Sequence, residues 1–447
     1  MFTYALLTIA VVAVAGLFYW IVLDPVRGIY LAFVASGVLN TISLGPLREK
    51  VGLTEFVMAL TWAAMLVNRR WLADREPLLD KQKLAIYFLC VFLLMYLVSF
   101  VVNNASFYGF LTGSVVESLN IVYVAMIMAT VILLVQKPEQ WKGCLMGWLL
   151  GAAVVVLVGL WAMSGSAPAW TYDEFSGRIS STLKFENQVP SYLVPIMLIA
   201  MVWSALSTTS MWFRILLLLL IAGMVIILVG TGSRTALILV VLSVLCLVVM
   251  LLLKNSNTSL LSGYLSLAII GCSVSLFLYI AAALAMYDGH YSLGSTPSWQ
   301  RPVVMIFESS QSGVLDTTRN RQAEVIVANA GEDFFIGNGP KLSGAKYRMD
   351  EVHNTYAGVF FETGAFGILA LFAFFATVIY NGFRESRSSA LNLLLWASVV
   401  AFMLLLIYGM TMYGLRQRTL WLMCGLLVSI PNIVRYMDRR IYEHPVR

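Results

Sequence analysis

The sequence predicts an all-α polytopic membrane protein with about 12 or 13 transmembrane helices. Of its 447 residues, 60% are hydrophobic and only 12% are charged, and the mean hydropathy is +0.84. A soluble chain is about a quarter charged, so this one lacks the charge to coat a water-facing surface. Backbone groups in lipid must bond within their own segment, and the long apolar runs therefore predict helices. These observations exclude a cytosolic enzyme, a secreted disulfide scaffold and a disordered protein.

The candidate spans are thirteen apolar runs, which predict a single integral-membrane domain over residues 1–447. They cover residues 2–23, 28–43, 51–68, 84–102, 117–136, 141–163, 191–206, 211–229, 235–253, 261–286, 355–380, 391–411 and 419–434. The run 28–43 is short for a hydrocarbon core about 30 Å thick, which leaves the number of spans at about 12 or 13. Residues 2–23 are expected to form a first helix, because they lack the basic start and the small-residue cleavage site of a signal peptide.

The basic residues of the short loops predict the orientation of the chain. One set of loops and the tail hold fifteen: Arg69, Arg70, Arg75, Lys81, Lys83, Lys137, Lys142, Arg214, Lys254, Arg384, Arg387, Arg435, Arg439, Arg440 and Arg447. The opposite set holds five: Arg178, Lys184, Arg234, Arg416 and Arg418. Because Lys and Arg collect in cytoplasmic loops, the tail is expected in the cytoplasm.

Two segments on the opposite, outer side are polar, unlike the rest of the chain. The first is an outer loop at 164–190. The second is a large outer loop at 287–353, between the tenth and eleventh candidate spans. Within it, residues 321–330 predict a short helix that ends before the turn-forming sequence Gly337–Pro340.

The sequence predicts no metal site and no cofactor. All five cysteines lie in apolar runs, without a CxxC pair or metal-binding spacing, and are interpreted as small core residues. Asp350 and Glu351 stand together, but no further acidic motif at ligand spacing accompanies them.

Arg234 follows Gly230–Ser233 between two strongly apolar spans, at the predicted outer boundary of the membrane. One interpretation is an arginine that anchors the helix at the interface, although the outer loops are otherwise poor in charge. The other is an anion site. The Gly-Thr-Gly-Ser sequence would expose backbone N–H groups at a helix N-terminus, and the guanidinium would add a fork of donors for phosphate.

His353 is one of three histidines and stands where the large outer loop enters a span. Helix capping would explain the adjacent Asn354 and Thr355, but it gives no reason for a histidine. An imidazole titrates near neutral pH and can act as an acid, a base or a hydrogen-bond donor. A loop-end histidine without function is the alternative.

The outer segments also carry several arginines: Arg178, Arg301, Arg319 and Arg321. Each alone would be read as part of a solvated surface. Together with one histidine, they suit a diphosphate leaving group, because guanidinium groups bind phosphate in a bidentate manner and stabilise the charge that grows on departure.

Four motifs follow one another along the chain. They are Ser176–Ser180 through Asn187, then Gly232–Leu237, then Arg321 through Ala330 to Gly337–Gly339, then His353–Tyr356 with Glu362–Gly367. In this order they resemble the motifs of the bacterial O-antigen ligase and O-antigen polymerase superfamily of integral-membrane glycosyltransferases. The resemblance covers about 170–380, roughly half of the chain. Three positions depart from it: Ser181 stands where the family often has Gly, Glu186 where it has Pro, and Val325 where it has an aromatic residue.

The resemblance implies a metal-independent glycosyltransferase of the bacterial inner (plasma) membrane, with its active site facing the periplasm. A glycan carried on polyprenyl (undecaprenyl) diphosphate would pass to a hydroxyl of an acceptor glycan. The acceptor would be a lipid-linked repeat or lipid A–core, as in polymerisation or ligation of O-antigen or exopolysaccharide. Neither a nucleotide nor a nucleic acid would take part.

The resemblance also implies roles for individual residues. Arg234 and Arg321 would clamp the diphosphate, and His353 would orient the acceptor or take its proton. Contacts to the diphosphate or the glycan are implied for Arg178, Arg301, Arg319, Asn187 and Asn354. Which of the outer arginines pairs with Arg234 stays open.

Alternatives remain at this point. Within the family, ligase, polymerase and protein O-oligosaccharyltransferase differ in the acceptor, and no motif decides among them. A transporter or flippase of lipid-linked glycan belongs to another class. Such proteins place ionisable residues near mid-bilayer, whereas the spans from residue 191 onward are nearly uncharged and no internal repeat is visible. Polar chemistry at the outer boundary favours an enzyme.

Overall fold

The protein is all-helical over the residues that the structure, a computed structural model, describes. These residues are 2–38, 52–73, 76–104, 111–172, 178–206, 209–253, 333–342, 352–386 and 391–443, with the single positions 283, 286, 300, 304, 322, 324–326 and 328. The one β-type pairing among them is an isolated antiparallel bridge between Tyr172 and Ile179.

The helices match the predicted spans to within a few residues at most ends. They are α1 Phe2–Leu23, α2 Val26–Ala35, α3 Leu53–Val67, α4 Arg70–Ala73, α5 Asp80–Asn104, α6 Leu111–Leu134, α7 Pro138–Met163, α8 Gln188–Ala205, α9 Met211–Gly230, α10 Arg234–Leu253, α11 Thr355–Ser386, α12 Asn392–Tyr408 and α13 Arg418–Glu443. α2 ends eight residues before the predicted run 28–43 does. The candidate span 261–286 and most of the predicted helix 321–330 lie outside the described residues, although positions 322, 324–326 and 328 are helical.

A membrane is the environment that these helices require. Among the described residues, seven helices are long and apolar enough to cross a bilayer, by length and composition. Their outward faces carry large apolar side chains such as Trp212 and Leu219 of α9, which are 80% and 66% exposed. The inward faces bury tryptophans, among them Trp148 and Trp421. An apolar exterior of this kind is stable in lipid and not in water.

Contacts between helix ends define two ends of the bundle. Lys81 at the start of α5 pairs with Glu385 at the end of α11, and Arg439 near the end of α13 pairs with Glu76. We call this the basic end, because the loops of the predicted cytoplasmic set begin there. The opposite end carries the loop before α8, the turn before α10 and residues 409–417, and we call it the site end.

The two ends make the predicted orientation testable. A cysteine in place of the exposed Ser166 of the site end should react with a membrane-impermeant maleimide in intact spheroplasts. A cysteine at Lys83, whose side chain is exposed at the basic end, should react only after lysis, because the basic loops are expected inside. The reverse labelling would remove every proposal that needs an outward-facing site.

α11 is interrupted near its start, and the segment 333–342 fills the interruption. The backbone N–H of Asn338 donates to the carbonyl of Phe361 at 2.7 Å, and that of Gly339 donates to the carbonyl of Glu362 at 3.1 Å. In the other direction, the N–H of Ala365 donates to the carbonyl of Phe334 at 2.7 Å. The segment 333–342 therefore satisfies backbone groups that the broken helix cannot satisfy itself.

Glycine is required on both sides of this contact. Gly364 has φ 67°, and a Cβ there would lie 2.4 Å from the carbonyl of Phe335. Gly337 has φ 80°, and its Cβ would lie 2.5 Å from the backbone of Gly364. Since backbone meets backbone, neither side can move away from an added methyl group. The contact between the two backbone segments thus explains why glycine stands at these positions of the third and fourth motifs.

Gly364→Ala should destabilise the protein strongly, because it combines a left-handed φ with a backbone clash, each costing about 1–3 kcal/mol. Thermal unfolding of the purified protein, followed by size-exclusion chromatography of the heated samples, measures the loss. Gly16→Ala is the matched control, because a Cβ at Gly16 meets nothing within 4 Å. Equal midpoints for the two variants would contradict the account of the helix break.

Candidate functional site

Arg178 ties the outer loop before α8 to the turn before α10. Its Nε donates to the carbonyl of Thr231 at 2.5 Å, and its Nη1 pairs with Glu186 at 2.8 Å. Nη2 lies 3.4 Å from Oδ1 of Asn187. The first motif therefore bonds the residue that directly precedes the second motif, and the charge of Arg178 is already matched by a carboxylate.

Ser181 adopts a backbone conformation that favours glycine. It lies in the left-handed region, with φ 53°, in the tight path that the chain takes after Arg178. Glycine would adopt this conformation without strain. Here the Ser181 hydroxyl compensates by donating to the carbonyl of Val155 at 2.6 Å.

Hydrogen bonds within the turn before α10 reduce the number of groups that could form the anion site that its sequence predicts. The N–H groups of Thr231 and Gly232 donate to carbonyls at the end of α9, at 2.9 and 3.0 Å, so they face no ligand. Ser233 caps α10 by accepting from Ala236 at 3.3 Å. Ser233 also accepts from Leu237, so what remains for an anion among the described residues is the backbone N–H groups of Arg234 and Thr235 and the guanidinium of Arg234.

Arg234 is half-buried and, among the described residues, has neither an ion pair nor a side-chain hydrogen bond. Arg178 and Arg214 both use their guanidinium groups to bond protein carbonyls. A partly buried cation is stable when an anion or water completes its hydrogen bonds. Within the described residues, Arg234 therefore differs from Arg178, whose guanidinium is bonded to Glu186 and Thr231.

The start of α11 joins the same region through residues at the end of α12. The Tyr408 hydroxyl donates to the carbonyl of Asn187 at 2.8 Å. The next residue, Gly409, accepts at 2.8 Å from the backbone N–H of Thr355. These bonds bring the fourth motif to the end of the bundle that carries the first two. Arg234 and His353 make no direct bond within the described part of the chain.

The side chains of Asn354 and His353 differ in their hydrogen bonding. Oδ1 of Asn354 accepts from the N–H groups of Tyr356 and Ala357, at 2.9 and 3.1 Å, so it caps α11. The side chain of His353 is exposed, and its backbone N–H donates to Oε1 of Gln322 at 3.4 Å. His353 is thus presented to the outside at a helix start, whereas the Asn354 side chain is engaged by its own helix.

The remaining arginine candidates, Arg301, Arg319 and Arg321, lie outside the described residues. The neighbourhood of the predicted helix 321–330 is partly visible. Gln322 bonds His353, and Ile326 packs with Val352 and Phe361. This segment of the large outer loop therefore contacts the first turns of α11.

Buried carboxylates near the site end were not predicted from the sequence. Glu117 of α6 is fully buried and pairs with Arg416 at 2.6 Å. Glu55 of α3, which is only partly buried, pairs with Arg418 at 2.6 Å. An acidic residue within or beside an apolar run is the signal that could have found them.

Glu362 is, with Glu117, the second buried carboxylate here, and it receives bonds from three elements. Tyr96 of α5 and Tyr413 of the 409–417 turn donate to its Oε2 at 3.2 and 2.5 Å, and the N–H of Lys341 donates to Oε1 at 3.1 Å. Burial, followed by the nearby carboxylates of Glu362 and Glu117, raises the pKa of Tyr413 well above its usual value. The phenol therefore stays protonated and acts as the donor.

The described residues include no group of three or more His, Cys, Asp or Glu side chains that could hold a metal ion. No protein-family model matches this chain, and none of the curated proteins compared with it matches. The family resemblance therefore rests on the motifs alone.

Proposed function

We propose that this protein is a membrane glycosyltransferase that moves a glycan from a polyprenyl diphosphate to an acceptor hydroxyl. The observation that supports this most is Arg234, a half-buried guanidinium without a carboxylate among the described residues, next to a turn that Arg178 fixes in place. An arginine held this way suits a ligand that carries charge on several oxygens.

In the proposed reaction, the acceptor oxygen attacks the anomeric carbon of the donor glycan. The bond from that carbon to the diphosphate oxygen breaks, and the diphosphate leaves with the bonding electron pair. Arg234, with one of the arginines of the large outer loop, stabilises the charge that develops on it. His353 takes the acceptor proton or orients the hydroxyl, which its exposed position allows.

The proposed donor determines the side of the membrane on which the reaction takes place. Under this proposal the site end faces the periplasm of a bacterial inner membrane, and the energy comes from the glycosyl diphosphate bond, so no nucleotide is needed. The acceptor is a glycan on lipid A–core or on a second polyprenyl diphosphate, giving ligation or polymerisation.

The test is a reconstituted reaction. Purified protein in nanodiscs is incubated with undecaprenyl-diphosphate-linked oligosaccharide, and the released lipid diphosphate is measured with and without an acceptor glycan. The proposal expects acceptor-dependent release in the wild type and almost none in Arg234→Ala. Release that no glycan acceptor stimulates, but that a Ser- and Thr-containing peptide does, would favour a protein O-oligosaccharyltransferase.

The same purified protein, reconstituted in liposomes instead of nanodiscs, distinguishes transport from glycan transfer. A flippase would move fluorescent lipid-linked glycan between the leaflets of liposomes without breaking the diphosphate bond. A transporter commonly uses intramembrane ionisable groups. Here Glu117 is paired with Arg416, and Glu362 is bonded by two tyrosines, which favours a structural use of both carboxylates.

A further inference from the structure

The turn formed by residues 409–417 is bonded to both halves of the candidate site. Tyr408, just before the turn, donates to the carbonyl of Asn187 on the side of Arg178 and Arg234. Gly409 accepts from the N–H of Thr355, and the Thr355 hydroxyl donates to the carbonyl of Met412 at 2.7 Å. Thr355 begins the helix that His353 precedes. The turn is thus a bridge between the arginine side and the histidine side.

The same turn is held from inside the bundle by two buried carboxylates. Tyr413 donates to Glu362 at 2.5 Å, and Arg416 pairs with Glu117 at 2.6 Å while its guanidinium lies over the Tyr413 ring at 4.9 Å. A buried polar group that loses its hydrogen-bond partner costs more than the bond itself contributes, so bonds of this kind hold a segment firmly. The position of the turn is therefore set by its buried partners rather than by the surface.

We propose that Glu362 is a positioning residue, which fixes the 409–417 turn through Tyr413 and thereby sets the spacing between the arginine side and the histidine side of the site. Glu362 touches no substrate in this scheme. The kinetic consequence rests on the proposed function, whereas the spacing itself does not. A displacement of about 1 Å between reacting groups can cost about 100-fold in rate.

Two tyrosines provide a matched pair of variants. Tyr413 and Tyr96 are both buried and both donate to the same oxygen of Glu362, but only Tyr413 belongs to the turn. Tyr413→Phe should lower kcat by about tenfold or more, with the KM for the lipid-linked donor changed less than about twofold. Tyr96→Phe should leave kcat within about twofold of the wild type. Glu362→Gln keeps one acceptor oxygen and should fall between them.

Similar thermal midpoints for the two tyrosine variants, with different kcat values, are the signature of positioning. Equal kcat losses in the two variants would overturn the proposal, because they would indicate general destabilisation. Wild-type kcat in Tyr413→Phe would overturn it too. If Tyr413→Phe does not fold, wild-type kcat in Glu362→Gln overturns it.

A distance measurement keeps this test independent of the reaction. Spin labels at the exposed positions Phe185 and Met410, in full-length protein with its native cysteines replaced by alanine, report the spacing between the loop before α8 and the turn. Tyr413→Phe should shift or broaden the distance distribution, and Tyr96→Phe should not. If the wild type transfers no glycan but the distributions behave this way, the proposed function fails and the spacing role stands. An unchanged distribution in Tyr413→Phe removes the spacing role.

Discussion

Arg234→Ala should lower kcat/KM for glycan transfer by about 10²–10³-fold, the cost of losing a donor aimed at developing negative charge. The substitution removes a guanidinium that bonds no other described residue, so the fold should survive and folded protein should remain in the membrane. Arg234→Lys should recover only part of the activity, because lysine restores the charge but not the planar fork that grips two oxygens at once. Release of lipid diphosphate measures the activity of the wild type and of both variants.

Lys184→Ala is the control for charge alone. Lys184 is a cation of the same end of the bundle, where it lies over the ring of Phe185. Its loss should change kcat/KM by less than about twofold, because its ammonium is already engaged with the Phe185 ring. Full activity in Arg234→Lys would make Arg234 an interfacial anchor instead of a diphosphate ligand.

His353→Gln distinguishes proton transfer from orientation. If His353 is the base, its neutral form is the active one, so activity should fall on the acidic side of the pH profile. The Gln variant should then lose about 10²–10⁴-fold. If His353 only donates a hydrogen bond, Gln should retain a substantial part of the activity, and the acid limb should be absent or reversed.

The measurement is a pH–rate profile of wild type and His353→Gln at saturating donor. Because the side chain of His353 is exposed, His353→Gln and His353→Ala should both leave the thermal midpoint unchanged. Near-wild-type activity in His353→Ala would eliminate both roles and leave a histidine at a loop end.

The sequence predicts the helices well because apolar composition alone requires them. α7 begins three residues before the predicted run and α9 ends one residue after it, which is the uncertainty of an apolar pattern at its edges. The interruption of α11 at Gly364 was not predictable from that pattern. Its cause is a backbone segment from elsewhere in the chain, and hydropathy carries no information about such a partner.

The residues of the candidate site could be predicted from the sequence, but the hydrogen bonds and ion pairs between them could not. Arg178, Arg234 and His353 could be singled out because charge is rare in this chain. The pairing of Arg178 with Glu186 and Thr231 depends on the fold, as does that of Arg416 with Glu117, which are 299 positions apart. The capping role of Asn354, by contrast, follows from its place before a helix.

The docking of residues 333–342 into α11 also determines where the chain tolerates added length. Between Leu342 and Val352, both buried, run the nine residues 343–351, a connection that spans at most about 35 Å when extended. Length added there would loosen the approach to His353. The stretch before residue 333 is held at the same place, because Gln322 accepts from the backbone N–H of His353 and Ile326 packs against Val352. An epitope tag or a fused reporter therefore belongs on neither side of the segment 333–342, and the short connection is the part that a designer should leave at its natural length.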